Sequence, residues 1–214
     1  MARFDHHVHT SRHSPDSAID PRELVRRARA VGLDGVVITD HDYQWEAKEL
    51  ADLAAFGSEH HIEVFSGAEI SAREGHFLVY GLPDLKKVPP GVTLKELLSV
   101  VRSEGAGIVA AHPFRWDQDF DAILKEHGEA FDALELVSNN ITRETRAKTE
   151  RVLQRHSMGR TGSSDGHEPE VVGCYYTEFP KAITTLADFV TAIRDKIGRP
   201  GSQQKGPLAS GLVD

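Results

Sequence analysis

The chain contains a single cysteine, Cys174, in 214 residues. One thiol closes no internal disulfide and builds neither a redox pair nor a thiolate cage for a metal, so other side chains must carry the chemistry. Cys174 is expected to be a small buried side chain. No apolar run approaches the roughly 20 residues a membrane helix needs, and the amino terminus lacks the charged-then-apolar layout of a secretory signal. A soluble, cytoplasmic protein is therefore expected. Positive charge is also scarce: 25 Lys and Arg face 33 Asp and Glu, a formal charge of -8. This balance disfavours a long nucleic acid as a tightly held partner, while leaving room for a local basic pocket. No internal repeat and no interior linker interrupts the sequence.

What the chain has in quantity is histidine, twelve in all. Many of them recur in one mixture with carboxylates: Asp5-His6-His7-Val8-His9-Thr10, Thr39-Asp40-His41-Asp42, Gly67-Ala68-Glu69, Ala111-His112-Pro113 and Ser164-Asp165-Gly166-His167. Between these clusters, β-rich runs alternate with amphipathic stretches, the pattern of parallel strands joined by crossover helices. Strands are expected over 2–9, 35–39, 62–70, 76–80, 107–111, 133–137 and 159–163, and helices over 21–31, 43–59, 93–104, 120–126, 143–156 and 186–197. Asp20 followed by Pro21 marks a helix start, and Leu94, Leu97, Leu98 and Val101 share one helical face. From Gly198 the composition turns to Gly, Pro, Ser and Gln, which reads as a poorly ordered tail over 198–214 behind one domain over 1–197. About seven strands suit an α/β barrel with fewer than the usual eight units, and the clusters fall at strand carboxyl ends, where barrel sites collect.

Side chains alternate along a strand, so His7 and His9 share one side while His6 and Val8 face the other. Two imidazoles so spaced can grip one metal ion.

The motifs then become specific. Asp5-His6-His7-Val8-His9-Thr10, Ser14-Pro15-Asp16-Ser17 before Pro21-Arg22-Glu23-Leu24, Thr39-Asp40-His41-Asp42, Gly67-Ala68-Glu69-Ile70-Ser71, Gly75-His76-Phe77-Leu78-Val79-Tyr80-Gly81, Ala111-His112-Pro113-Phe114 and Gly162-Ser163-Ser164-Asp165-Gly166-His167 occur in this order. The series resembles the PHP family, named for polymerase and histidinol phosphatase, over roughly residues 3 to 196. The resemblance implies a distorted (β/α)7 barrel, TIM-barrel-like, with a metal site at the carboxyl ends of the strands. It further implies two or three divalent ions, with Mn, Fe or Zn favoured and Mg also accepted. By that resemblance His7, His9, Glu69 and Asp165 hold a first ion and position the activated water. Asp16, His41 and His167 hold a second; Glu69, His76 and His112 hold a third, with Glu69 as the bridge.

His6, where many relatives have leucine, and His13, beside Asp16, stand as alternative ligands. The stretch Leu136-Val137-Ser138-Asn139-Asn140 lacks a histidine that some trinuclear relatives have there. An open coordination position follows, with Asn139 able to orient its occupant. Asp40 and Asp42 flank His41 and are candidates to hold its ring. Arg73, Arg115 and Trp116 are candidates to clamp phosphate oxygens or stack on a base, against the alternative of solvated surface residues. His60, His61, His127 and His156 read as surface residues.

Six neutral histidines and three carboxylates leave three divalent ions strongly under-neutralised, so the site favours an anion. The expected activity is hydrolysis of a phosphate ester on a small phosphorylated metabolite, a nucleotide or a short oligonucleotide end by a metal-activated water. A metal-dependent amidohydrolase and a non-catalytic metal-binding module are the alternatives.

Overall fold

The β-rich runs that end in the histidine clusters become strands of one sheet. In the computed structural model, which describes residues 1–203, the chain runs β1 (Ala2–Val8), α1 (Pro21–Ala30), β2 (Gly35–Ile38), α2 (Ala47–Glu59), β3 (Glu63–Ala72), β4 (Gly75–Tyr80) and α3 (Leu94–Glu104). It continues with β5 (Gly107–Ala110), α4 (Phe120–His127), β6 (Ala133–Val137), α5 (Arg143–Arg155), β7 (Gly159–Gly162), β8 (Tyr175–Phe179), α6 (Leu186–Arg194) and β9 (Arg199–Ser202). The sheet order is β7-β6-β5-β4-β3-β2-β1-β8-β9. Pairing is parallel except at β4, which is antiparallel to β3 and β5, and at β8, which is antiparallel to β1 and β9. The sheet curls until it is nearly a closed barrel, as expected of a distorted α/β barrel. No helix of the described residues is long and apolar enough to cross a membrane.

The helices start where local chemistry dictates. Asp20 accepts from the backbone N–H groups of Arg22 and Glu23 at 2.9 and 3.1 Å, and Leu24, Val25 and Ala28 form the buried face of α1. Thr93 and Glu96 form a reciprocal cap at the start of α3. α2 begins at Ala47 rather than near residue 43, because Asp42 takes a left-handed φ of 51° and Trp45 is drawn inward to donate to Asp40 at 2.7 Å. Two strands escaped the sequence reading. β8 follows a tight turn through Gly173, and β9 lies where Pro200 and Gly201 suggested coil; proline is tolerated there because the strand is at an edge. The expected tail is thus a strand over Arg199–Ser202, and its remainder, 204–214, lies outside the described residues.

An aromatic cluster fills the end of the barrel opposite the histidines. Phe4, Tyr80 and Phe179 surround Phe189 of α6 with ring centres 5.7, 5.0 and 5.5 Å away. Above it, β7 and β8 meet at a seam made by a side chain instead of a backbone ladder. The Thr177 hydroxyl accepts from the Gly162 N–H at 3.0 Å and donates to the Gly162 carbonyl at 2.9 Å. Gly162 is required there, since a Cβ would stand 3.1 Å from the Tyr176 carbonyl and 2.7 Å from Val137. Thr177 also lies 3.0 Å from His6 Nε2, and Tyr80 lies 2.6 Å from His6 Nδ1. With Thr177 donating to Gly162, a neutral His6 donates from Nε2 to Thr177, and the one Tyr80 hydroxyl proton serves both His6 Nδ1 and the His6 carbonyl, 3.0 Å away.

Thr177→Val keeps the shape but leaves buried partners on Gly162 and His6 unpaired, at an expected cost of about 2–4 kcal/mol in unfolding free energy by urea titration. A change below about 0.5 kcal/mol would show that the seam is held by something else.

Candidate metal centre

Strand direction decides which residues reach the rim. His7 and His9 leave the end of β1, His41 follows β2, Glu69 lies on β3, His112 follows β5, and Asp165 and His167 follow β7. His76 arrives differently: β4 is reversed, so its first residues, with Ser71 opposite His76, lie at the same rim as the carboxyl ends of its neighbours. Asp16 comes from the loop between β1 and α1. All nine residues that the resemblance singles out therefore come together. Strict alternation along β1 fails, however. The β1–β2 register shifts between Asp5 and Val8, so His6 turns inward beneath His7 while Val8 packs outward with Leu24 and Ile38.

Glu69 is the hub, 1% exposed. Its Oε2 lies 3.3, 3.2 and 3.1 Å from ring nitrogens of His7, His9 and His41. Its Oε1 lies 2.9 and 3.2 Å from His76 and His112. Asp165 Oδ1 closes the first group at 3.2 Å from His7 and 3.4 Å from His9. Asp16 Oδ2 stands 3.2 and 3.1 Å from Nε2 of His41 and His167. Ligating atoms fall within 4.8 Å of one another in three groups: His7, His9, Glu69 and Asp165; Glu69, His76 and His112; and His9, His41 and His167. His9 thus joins two groups, its ring stacked 4.3 Å from both His41 and His167.

These residues fit divalent ions. His7 Nε2, His9 Nε2 and Glu69 Oε2 are buried without an aligned hydrogen-bond partner, although Glu69 Oε2 stands 3.3 and 3.2 Å from the two ring nitrogens. Ligands about 2.1 Å from a common ion are spaced in this way, and a cation between them explains what would otherwise be costly orphan atoms. The electrostatics agree. Burial alone would lower His9, but the carboxylates of Asp165 and Glu69, 3.4 and 3.2 Å from its Nε2, raise it to about 9. His7 is likewise carried well above the usual range against its own burial, by the charges of Asp165, Glu69 and Glu135. Glu69 and Asp165 stay far below the usual carboxylate range despite burial, chiefly because of His7.

A second ring of groups holds the first in place, and the sequence reading passed over most of it. Glu135 on β6, fully buried, accepts from His7 Nδ1 at 3.1 Å, the His112 backbone N–H at 2.8 Å and Ser163 Oγ at 2.8 Å. Its signal was a lone acid in the apolar run Ala133-Leu134-Glu135-Leu136-Val137. Asn140 donates to Asp165; Asn139 lines the cavity but accepts from Cys174, which is buried as expected. Asp40 and Asp42 do not touch the His41 ring. Asp40 accepts from Thr10 N, Thr10 Oγ1 and Ser14 Oγ at 2.6–2.8 Å, and Asp42 accepts from the Ser71 N–H at 2.8 Å.

Neither alternative histidine is a ligand. His6 is bolted between Tyr80 and Thr177, and burial, with the charge of His7, lowers its pKa to about 3. His13 sits on Glu49 at 3.0 Å, stacked on Tyr43. Of the three substrate candidates, Arg115 and Trp116 line the cavity of about 540 Å³ over the ligands. Arg73 does not: its Nε donates to the Gly91 carbonyl at 2.9 Å, on the far side of a neighbouring groove. His61 is exposed, whereas His60, His127 and His156 are only partly so.

A family model described as PHP-associated matches residues 143–196. An uncharacterised protein of Methanocaldococcus jannaschii is 29% identical over 121 residues, covering 52% of this chain and 68% of that one. Among solved structures, a two-domain protein from Bacteroides vulgatus containing a predicted PHP-like metal-dependent phosphoesterase superposes with a TM-score of 0.74 at 19% identity, covering 94% of this chain and 65% of that one. The chain therefore spans less than two thirds of that relative. PsfC from Pseudomonas syringae superposes at 0.69 with 20% identity, covering 99% and 97%. An amidohydrolase from Chromobacterium violaceum, solved with bound sulfate, superposes at 0.66 with 19% identity, covering 89% and 96%. At these identities the structural likeness establishes the fold.

Three outcomes are expected. His7 and His9, raised in the metal-free protein, must shed protons to ligate, so titrating metal at pH 7 should release about two protons per chain, read by calorimetry in buffers of different ionisation enthalpy. Because His9 is raised from 6.5 to about 9, its stabilisation of the metal-free fold is full below pH 6.5. It should fade as pH rises to about 9, seen as a falling Tm that added metal restores. Separately, Glu135→Gln should weaken metal binding by about 10–100-fold in a chelator competition, with the circular dichroism spectrum retained.

Proposed function

We propose that this chain is a PHP-family protein and that its centre makes it a metal-dependent phosphoesterase acting on a small phosphate ester. The observation that carries the reading is Glu69, whose two oxygens divide five histidines into two sets, His7, His9 and His41 on Oε2 and His76 and His112 on Oε1. A carboxylate so placed is suited to bridge two cations. Divalent ions held by the nine ligands would polarise a phosphoryl oxygen and lower the pKa of water.

The chain's own residues do the rest. Arg115, its Nη1 3.6 Å from Asp165 Oδ2, is too far for a strong hydrogen bond there and keeps donors free for a phosphoryl oxygen in the cavity it lines. Asn140 and Glu135 fix the aim of Asp165 and His7. A cavity of about 540 Å³ suits a metabolite or a nucleotide, the size class in which small-molecule sites fall.

The amidohydrolase neighbour keeps a second reading open: attack on a carbonyl carbon. Against it, no lysine lines the cavity among the described residues, the bridge is a glutamate, and an arginine stands beside the ligands as anion recognition requires. His9→Ala and Asp165→Ala should each lower kcat/KM on an aryl phosphate at least about a thousandfold, equivalent to about 4 kcal/mol, with the fold retained by circular dichroism; chelation should do the same to the unaltered protein. Turnover of aryl amides but not phosphate esters would install the amidohydrolase instead. Stoichiometric metal with no turnover of either would leave a binding module.

A further inference from the structure

Beside the metal cavity lies a second groove of about 450 Å³, and the two share one wall made of His76, His112, Arg115 and Trp116. Trp116 is 66% exposed, and among the described residues only Met1 is a more exposed large apolar side chain. Its ring is nevertheless held. His76 and His112 meet it edge-on at 5.2 and 5.5 Å, and the Arg115 guanidinium lies 4.0 Å from its centre. The loop that presents it is strained, with positive φ at His112, Phe114, Trp116 and Asp117, none of them glycine. The strain is locked by Gln118, which accepts from Phe114 N at 3.2 Å and donates to the Glu74 carbonyl at 2.8 Å. Backbone strain that fixes an unburied tryptophan at the lip of a metal centre marks a binding platform.

The charge of the groove says what the platform takes. Beyond the shared wall, the carboxylates of Glu74, Asp119 and Glu126 outnumber the single guanidinium of Arg73, around an apolar floor at Ala122 and Ile123. The metal cavity favours an anion; this groove repels one. We infer that the groove is the subsite for the organic part of the ester, and that the preferred substrate carries a flat ring stacked on Trp116 whose far end is neutral or cationic. The inference rests on the phosphoesterase reading and narrows it: an ester bearing a second anionic group beyond its ring is disfavoured.

The test compares benzyl phosphate with ethyl phosphate, whose leaving alcohols are of similar basicity, on metal-loaded protein. Benzyl should exceed ethyl in kcat/KM by about tenfold, 4-aminomethylbenzyl phosphate should match or exceed benzyl, and 4-carboxybenzyl phosphate should fall below it. Trp116→Ala should collapse the benzyl-to-ethyl ratio and Trp116→Phe should keep most of it, with metal content retained in both. Independently of turnover, benzylphosphonate should quench tryptophan fluorescence and bind tighter than ethylphosphonate, with the tighter binding lost in Trp116→Ala. Equal handling of benzyl and ethyl compounds, or an unchanged ratio in Trp116→Ala, overturns the subsite while leaving the phosphoesterase intact. Failure of every ester to turn over removes both.

Discussion

A carboxylate removed from water must find positive charge nearby, and Glu69 is the point at which this chain meets that demand. Burying an ion costs several kcal/mol even after relaxation, and Glu69 is held ionised by five surrounding imidazoles. In the metal-free protein the compensating charge is a set of protons on histidine nitrogens, above all His7 and His9. Those same nitrogens are the candidate ligating atoms, so a cation entering the site would replace protons and the buried charge would stay balanced. Several irregular features serve this one carboxylate. The reversed β4 delivers His76, the register shift in β1 turns His7 inward, and a left-handed His112 aims its ring at Oε1.

Around that hub the fold uses other buried acids as bolts. Asp40 ties Thr10, Ser14 and Trp45 together, which fixes the loop that carries Asp16 and sets Ser14 within 3.4 Å of His9 Nδ1. Asp5 accepts from Ser164 N and Gly173 N at 2.9 and 2.8 Å and so clamps the start of the Asp165 loop against β1. Burial raises Asp5 to about 6 despite those bonds, a sign that it is held mainly by position and not by a charge partner. Glu135 links β1, the end of β5 and the end of β7. None of the three belongs to a metal-ligating group, yet without them the ligand atoms would hang on loops with no fixed bearing.

Most of the candidate ligands were legible in the sequence because they sit at strand ends in short histidine motifs, whereas Asp16, in the loop after β1, and His76, at the start of the reversed β4, stood out only through the family resemblance. Local pattern carries that information. The supporting acids were harder to see, since Asp5 and Glu135 act entirely, and Asp40 mostly, on residues 20 or more positions away in the chain, and periodicity says nothing about such partners. Glu135 was visible only as an acid in an otherwise apolar run, while Asp5 and Asp40 stood inside the histidine motifs without showing which groups they bind. The closing strands failed for a different reason: Arg199–Ser202 has the composition of coil, and it is a strand because β8 supplies an edge for it to pair with. Tertiary context overrode propensity there. Likewise α2 starts four residues late because Asp40 draws Trp45 out of helical register.

His6 and His7 show how little residue type alone decides. They are adjacent on one strand, both fully buried, and both inward-facing because of the register shift. His6 meets only neutral hydroxyls, on Tyr80 and Thr177, which can donate to one nitrogen and accept from the other; burial then wins and the ring stays neutral. His7 meets three carboxylates, so the same desolvation is overcome and its pKa is carried well above the usual range. One ring joins β1 to β4 and β8 as a structural bolt, and its neighbour, separated by a single peptide, stands in a candidate metal-binding group. What assigns the roles is the partner set that the barrel brings to each, so a metal centre in this fold is defined by where its acids converge more than by where its histidines lie.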